Sequence, residues 1–349
     1  MSEADRRLVR GVEAWFRGES RDLPWRRVRT PYTTLVSEAM LQQTQVSRVV
    51  GRFEAFLERF PDVGTLAAAP EQAVLAAWQG LGYYRRARNL HAAAKAIVER
   101  HRGTVPAELD ELRALPGVGA YTAGAIASIG HGKVAAIVDT NVARVLLRIE
   151  GRPGSTADPA SMRWCWDRAE SLVRLADSPG RWNEGLMELG STVCTTAAPR
   201  CNACPARSRC TARRDGTVDR IPAPKPKPKR KQVRFHVVVC VRDGRILLER
   251  RGESGLWAGL WQPPTLESER ELAASEVARL LGFGKLAPKC EFTHRTSHRD
   301  VTFIVFTARG GRTIRGREWV ERSRLADYPL SNPMRTLAAE SLTPGPRRP

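Results

Sequence analysis

Two carboxylates and four thiols stand out as groups able to do chemistry. Glu38 lies in the run Ser37-Glu38-Ala39-Met40-Leu41-Gln42-Gln43-Thr44-Gln45, three residues after Leu35 and three before Leu41. In a helix those positions share one side. A carboxyl among apolar neighbours has its charged form disfavoured, and a raised pKa suits a general acid near neutral pH. A lone glutamate, judged by periodicity only, more often lies on a solvated face. Asp139 follows the apolar Val134 to Val138 and precedes Val142 to Ile149, a predicted helix. It is placed to cap that helix, and a capping carboxylate is fixed enough to face a developing cation. Cys194, Cys201, Cys204 and Cys210 have the spacing C-x6-C-x2-C-x5-C. Four thiolates can hold an iron–sulfur cluster or a zinc ion, and zinc ribbons usually show two short Cys-x2-Cys knuckles where this chain has one. The remaining cysteines, Cys165, Cys240 and Cys290, read as plain core residues.

These groups need a scaffold, and residues 1 to about 215 supply one that reads as almost wholly helical. Pro31 starts a helix with Leu35, Val36, Ala39 and Met40 on one apolar face. Glu108 to Ala114 and Tyr121 to Ile129 are two further helical segments, joined through Leu115-Pro116-Gly117-Val118-Gly119-Ala120. Two helices linked by Pro-Gly-Val-Gly make a helix-hairpin-helix, about 108–130. Its glycines allow a tight turn and leave N–H groups at the start of the second helix for a phosphate oxygen. Such a hairpin grips a nucleic-acid backbone without reading sequence. Ile221 to Gln232 (IPAPKPKPKRKQ) is a basic Pro/Lys linker. From residue 233 the pattern becomes that of a small α+β domain. His236 to Val241 is a strand, Asp243-Gly244 a hairpin turn, Ser268 to Leu281 a helix with Ser268 as its cap, Val301 to Thr307 a strand, and Asn332-Pro333 the cap of a last helix.

The 349 residues suit about two domains, and the net charge of +20 implies a polyanionic partner. The charged N-terminus is no signal peptide, and no apolar run approaches the ~20 residues that span a bilayer. The expected compartment is the cytoplasm, with no membrane association. Seven cysteines with four clustered argue for ligation in a reducing compartment, not a disulfide framework.

Together, Leu23-Pro24-Trp25, the Glu38 run, Gly80-Leu81-Gly82-Tyr83-Tyr84, the hairpin, Asp139, the cysteine loop and the C-terminal module resemble the adenine DNA glycosylases of the MutY type, within the endonuclease III superfamily. The resemblance covers nearly the whole chain. It implies a mostly α, helix-hairpin-helix glycosylase domain (1–220) with a [4Fe–4S] cluster loop (194–210). A linker (221–232) and an α+β Nudix-like domain (233–349) for lesion recognition follow. The implied activity is hydrolytic removal of adenine mispaired with 8-oxoguanine or guanine in double-stranded DNA, by a monomer acting in base excision repair. Glu38 would protonate the adenine and Asp139 stabilise the cation at C1′, with Tyr121 and Asn141 beside them. Gln43 and Tyr83 match positions that wedge into the base stack, with Gly117, Val118 and Gly119 on the backbone. Trp25, Arg26, Leu41 and Glu184 align with the adenine pocket. Phe292-Thr293-His294 corresponds to a loop that meets 8-oxoguanine. The four cysteines would hold the cluster. Relatives that also cut the strand carry a nucleophilic lysine where this chain has Tyr121, so no Schiff-base route is evident. Gly255 to Pro263 matches the Nudix loop. The helix after it offers Glu269, Glu271 and Glu276 but lacks the paired Glu-Glu-x-Gly that holds magnesium, which implies a binding module. Two other readings are an endonuclease III-like lyase for oxidised pyrimidines and a catalytically silent DNA-binding protein. Tyr121 and the C-terminal module weigh against the first, and Glu38 with Asp139 against the second.

Overall fold

The computed structural model describes residues 2–224, 230–309 and 316–342. The chain forms two compact units, 1–69 with 85–226 and 70–84 with 227–349. A division at the Pro/Lys stretch alone would assign 70–84 to the first unit. Hydrogen bonds from Tyr84 Oη to Leu330 O (3.0 Å) and from Trp261 Nε1 to Gln72 Oε1 (3.2 Å) tie it to the second. Residues 225–229 of the stretch lie outside the described residues, and Lys231 and Gln232 already belong to a strand.

In the first unit the described residues contain helices and no strand. The Glu38 helix, Pro31–Leu41, opens with Pro at its first turn and a reciprocal cap between Thr30 and Thr33. It is buried nearly all round, from Tyr32 to Met40, which makes it the central helix of the unit. Its C-terminal carbonyls at Ala39 and Met40 each accept a hydrogen bond from Arg86 Nη1 at 2.7 Å. Arg86 Nη2 also donates to Thr44 Oγ1 (2.9 Å), so one buried guanidinium fixes the turn that carries Gln43.

The hairpin helices are Leu109–Arg113 and Ala120–Ala125, the second continuing as a π-helical turn at Ile126–Gly130. Gly117 has φ +76°, and a Cβ there would lie 2.5 Å from Asn89 Cβ, so both conformation and space demand glycine. The Asp139 helix is Thr140–Ile149, and the helix Pro179–Thr192 packs beside it. A Cβ on Gly190 would come within 2.9 Å of Asn141 Cβ, so that approach also needs glycine. The core between them includes Val142, Leu146, Trp182, Leu186 and Leu189.

The second unit is a seven-stranded sheet: β1 Lys231–Arg242, β2 Arg245–Arg250, β3 Trp261–Gln262, β4 Thr265–Ser268, β5 Leu286–Arg295, β6 Arg299–Ala308 and β7 Arg317–Glu321. The order is β3-β2-β1-β6-β5, with β4 on β1 and β7 on β2. β1 runs parallel to β6, and both its faces are buried, which explains its near-continuous apolar run. Phe235, Val237 and Val239 pack on one side, Val238 and Cys240 on the other. Asp243 and Gly244 both have positive φ (50° and 70°), the conformation of a two-residue hairpin turn.

Three local expectations are corrected. Ser268 ends β4, which pairs with β1, and the helix starts only at Ala274, after Leu272 N–H has been taken by His236 Nε2 at 3.0 Å. Ser331, not Asn332, occupies the N-cap position of the last helix, without a side-chain capping bond. Cys290 is exposed on β5, whereas Cys165 and Cys240 are buried.

Candidate active site

Glu38 is 5% exposed. Burial pushes its pKa from 4.5 up to about 7; the negative charges of Asp139 and Glu184 add to the rise, and a hydrogen bond with Tyr121 opposes it. The setting is buried but not apolar, since Tyr121, Asp139 and Glu184 all act on the carboxyl.

Asp139 caps its helix, accepting Val142 N–H at Oδ1 (2.7 Å). Its other oxygen accepts Asn141 Nδ2 at 3.1 Å. Asn141 is oriented in turn by Arg144, whose Nη2 donates to Asn141 Oδ1 (2.9 Å) and Gly190 O (2.7 Å) and whose Nε donates to Cys194 O (2.8 Å). One arginine thus joins the Asp139 carboxylate to the start of the cysteine loop. Tyr121 opens the second hairpin helix and turns its hydroxyl onto Met187 Sδ (2.8 Å) and the Glu38 carboxyl. Burial, with the Glu38 and Asp139 charges, holds the phenol neutral. Glu38, Tyr121 and Asn141 come from three separate helices, with Asp139 capping the last; Glu38 is buried and the other three are half-buried.

Glu184 and Glu188 lie one turn apart on the helix Pro179–Thr192, 4% and 1% exposed. Arg26 stands against both, with Nε 3.4 Å from Glu184 Oε1 and Nη2 2.9 Å from Glu188 Oε2. Arg29 reaches Glu184 Oε2 at 3.0 Å. Burial raises the Glu184 pKa against the pull of Arg29 and Arg26. Burial presses Glu188 the same way, but hydrogen bonds from Arg21 and Arg26 outweigh it and hold the group down at about 2. Trp25 meets Phe53 edge-on, with ring centroids 5.8 Å apart, and Leu41 closes the Glu38 helix.

Of the residues assigned to DNA, Gln43 and Tyr83 both adopt the left-handed region, at φ 54° and 48°. Arg102, Ala198, Asp243 and Trp257 share that uncommon conformation, so it marks tight turns of the chain. Tyr83 is 41% exposed. Gly119 caps the second hairpin helix. Val118 differs from expectation. Its side chain is buried and its N–H donates to Leu115 O within the turn (3.2 Å), so it is not among the donors the hairpin can offer.

The four clustered cysteines line one cavity with Val145, Ile149, Leu189 and Val193. Among the described residues no three His, Cys, Asp or Glu side chains converge on one point to hold a single metal ion. Arg148 Nη1 approaches Cys194 Sγ at 3.4 Å and donates to Thr195 O at 2.7 Å.

Phe292, Thr293 and His294 lie in strand β5 and not in a loop, so alternate residues face opposite ways. Phe292 stacks on Phe303 at 4.7 Å, and His294 lies 6.0 Å from Trp257 on that same face. Thr293 points to the other face. Burial lowers the His294 pKa, which keeps its imidazole neutral. Glu269 pairs with Lys231 and Glu276 with Arg270.

The positioning residues Arg86, Arg144, Met187 and Glu188 carry no motif, and in a chain with 57 Lys and Arg only their burial distinguishes the arginines.

Residues 36–170 match the HhH-GPD superfamily of base excision DNA repair proteins, and residues 236–340 match the NUDIX domain family. The adenine DNA glycosylase of Homo sapiens is 33% identical over 356 residues, covering 84% of this chain. The chain spans about two thirds of that protein's length, 65%. The adenine DNA glycosylase of Mycolicibacterium smegmatis is 40% identical over 248 residues, covering 70% of this chain and 83% of that one. That of Buchnera aphidicola subsp. Acyrthosiphon pisum is 30% identical over 285 residues, with 81% of each chain covered. Among solved structures, a thermostable thymine-DNA glycosylase superposes with a TM-score of 0.55 at 26% identity, over 61% of this chain and 98% of that one. No helix among the described residues is long and apolar enough to cross a membrane. The chain belongs to the adenine DNA glycosylases of the helix-hairpin-helix superfamily of base excision DNA repair proteins.

Proposed function

We propose that this chain extrudes adenine from duplex DNA where it is mispaired with 8-oxoguanine or guanine and hydrolyses its N-glycosidic bond. The observation that carries the reading is the pairing of a buried carboxyl raised to about 7, Glu38, with the fixed carboxylate of Asp139. Glu38 delivers a proton to the adenine. The C–N bond at C1′ then breaks, its electron pair leaving with the base, and Asp139 faces the cation that remains. Water adds at C1′ and loses a proton. Tyr121 supplies no amine, so the product is an intact abasic strand. The test is an excision assay on duplexes carrying A:8-oxoG, A:G and oxidised-pyrimidine pairs. The first two should be cut, A:8-oxoG best, with strand breaks only after alkali. Excision of oxidised pyrimidines, with strand cleavage keeping pace, would favour a lyase instead.

The cysteine cavity fits a [4Fe–4S] cluster in its donor set: four sulfurs in an apolar lining, with Arg148 against Cys194. Cys194, Cys201, Cys204 and Cys210 would hold it, and when bound it would crosslink the loop. Arg144 and Arg148 transmit that rigidity to the Asp139 helix through their bonds to the loop carbonyls. Purified protein should be yellow-brown, with iron and sulfide at about four each per chain. Stoichiometric zinc without iron, in protein made anaerobically from iron-replete cells, would refute the assignment.

Sensing of 8-oxoguanine falls to His294, whose neutral imidazole can exchange a hydrogen bond with the lesion. The strand geometry keeps Phe292 beside it as a stacked support and removes Thr293 to the other face. Changing His294 to Ala should lower the preference for A:8-oxoG over A:G by roughly two- to tenfold, one lost hydrogen bond. Full preference in active-site-titrated variant would move the lesion reader elsewhere.

A further inference from the structure

Glu188 has no part in the proton chemistry, yet it is the most tightly held acid near the site. Arg21 donates to it from Nε (2.7 Å) and Nη2 (2.8 Å), and also from its backbone N–H (3.1 Å). Arg26 Nη2 adds a fourth bond at 2.9 Å. Arg26 is spent in an ordered way. Nη2 goes to Glu188, Nη1 goes to Arg21 O at 3.0 Å, and the guanidinium lies over the Phe16 ring at 4.9 Å. Only Nε comes near Glu184, 3.4 Å from Oε1, and it makes no hydrogen bond there. Arg29 takes one position on the other Glu184 oxygen. A carboxylate has about four acceptor positions, so this arrangement leaves capacity on Glu184.

We propose that Glu188 is a positioning residue for base selection: by clamping Arg26 it prevents a two-pronged Arg26–Glu184 pair and keeps Glu184 available to the exocyclic amine of adenine. The inference rests on the adenine-excision reading above. Adenine differs from purine by that amine, a hydrogen-bond donor at N6. Without Glu188, the Arg26 fork is free to rotate onto Glu184, because bidentate guanidinium–carboxylate pairing is the preferred geometry. Each Glu184 oxygen would then accept from Arg26, with Arg29 still on Oε2, and the amine would have to compete for the one position left.

The test compares single-turnover excision of adenine and of unsubstituted purine, each opposite 8-oxoguanine, by the full chain and by Glu188→Gln. Gln keeps the shape and a hydrogen bond to Arg21 but loses the charge that holds Arg26. The variant should remove adenine about ten- to hundredfold more slowly, as for a lost hydrogen bond involving a charged group. Its removal of purine should change little, so the adenine-to-purine ratio collapses. A purely structural role would slow both substrates alike and leave the ratio unchanged, which overturns the proposal, as does an unaltered adenine rate. Should Glu188→Gln not fold, Glu188→Asp carries the same comparison. It keeps the charge on a shorter arm, so a ratio below that of the wild type supports the clamp and an unchanged ratio overturns it. Failure of the wild-type chain to excise adenine at all would defeat the underlying reading instead, and the wild-type arm reports that separately.

Discussion

Replacing Glu38 with Gln should suppress base excision by about 10²–10⁴-fold, the usual contribution of a positioned general acid, while affinity for the mispaired duplex is retained. The same substitution should stabilise the protein at alkaline pH. Glu38 has its pKa raised from 4.5 to about 7, so the folded state disfavours the ionised form. The associated stability is complete below about 4.5 and is lost as pH rises through about 7. The full cost is roughly 3 kcal/mol. Gln carries no charge and escapes it, so the variant should gain on the wild type as pH rises through that window and keep the gain at pH 8. Urea melts of both proteins at about pH 5 and pH 8 read this directly. A variant that lost stability at pH 8 would mean that Glu38 is stabilised as a carboxylate in the fold.

Asp139→Asn should be the second most damaging change, lowering excision by about 10²–10³-fold, as when a preorganised electrostatic partner is removed. Asn caps a helix nearly as well as Asp, so the bond to Val142 N–H survives and the loss of stability should stay small, about 0.5 kcal/mol or less. A second consequence separates electrostatics from misfolding. The Asp139 charge helps raise the Glu38 pKa, so its removal should move the alkaline fall in rate to lower pH. A variant with wild-type excision would show that the cation at C1′ is stabilised by another group. An unmoved alkaline limb would show that the two carboxyls do not sense each other.

Part of the chemistry of the site was legible because its residues leave local marks. Asp139 before Val142 foretells a cap, whereas the spacing of Leu35 and Leu41 about Glu38 left a solvated face the commoner reading, and the resemblance of its motif was what put it in the site. Gly117 is explained by its own φ and by Asn89. The supporting shell left no such mark. Arg86, Arg144 and Arg148 act on carbonyls 46 to 50 residues away, or 46 to 47 in the case of Arg86. In a chain of net charge +20 they look like surface charge. Glu188 is likewise defined by Arg21, 167 positions distant. Two of the errors in the second unit were of element type. Phe292 to His294 contains no turn residue and pairs throughout with β6, and Thr265 to Ser268 is drawn into the sheet by β1 before a helix can begin. Strand pairing is a non-local decision, which a single segment's residues cannot make.

The central claim is that Glu38 performs the chemical step as a protonated acid, held so by its buried setting. The most direct measurement is the single-turnover rate constant for removing adenine opposite 8-oxoguanine, with enzyme saturating, from about pH 5.5 to pH 9. The rate constant should be near its plateau at the acidic end and fall through about 7, approaching a tenfold loss per pH unit at the alkaline end, where Glu38 ionises. A rate constant that stayed level, or rose, across that range would contradict the account.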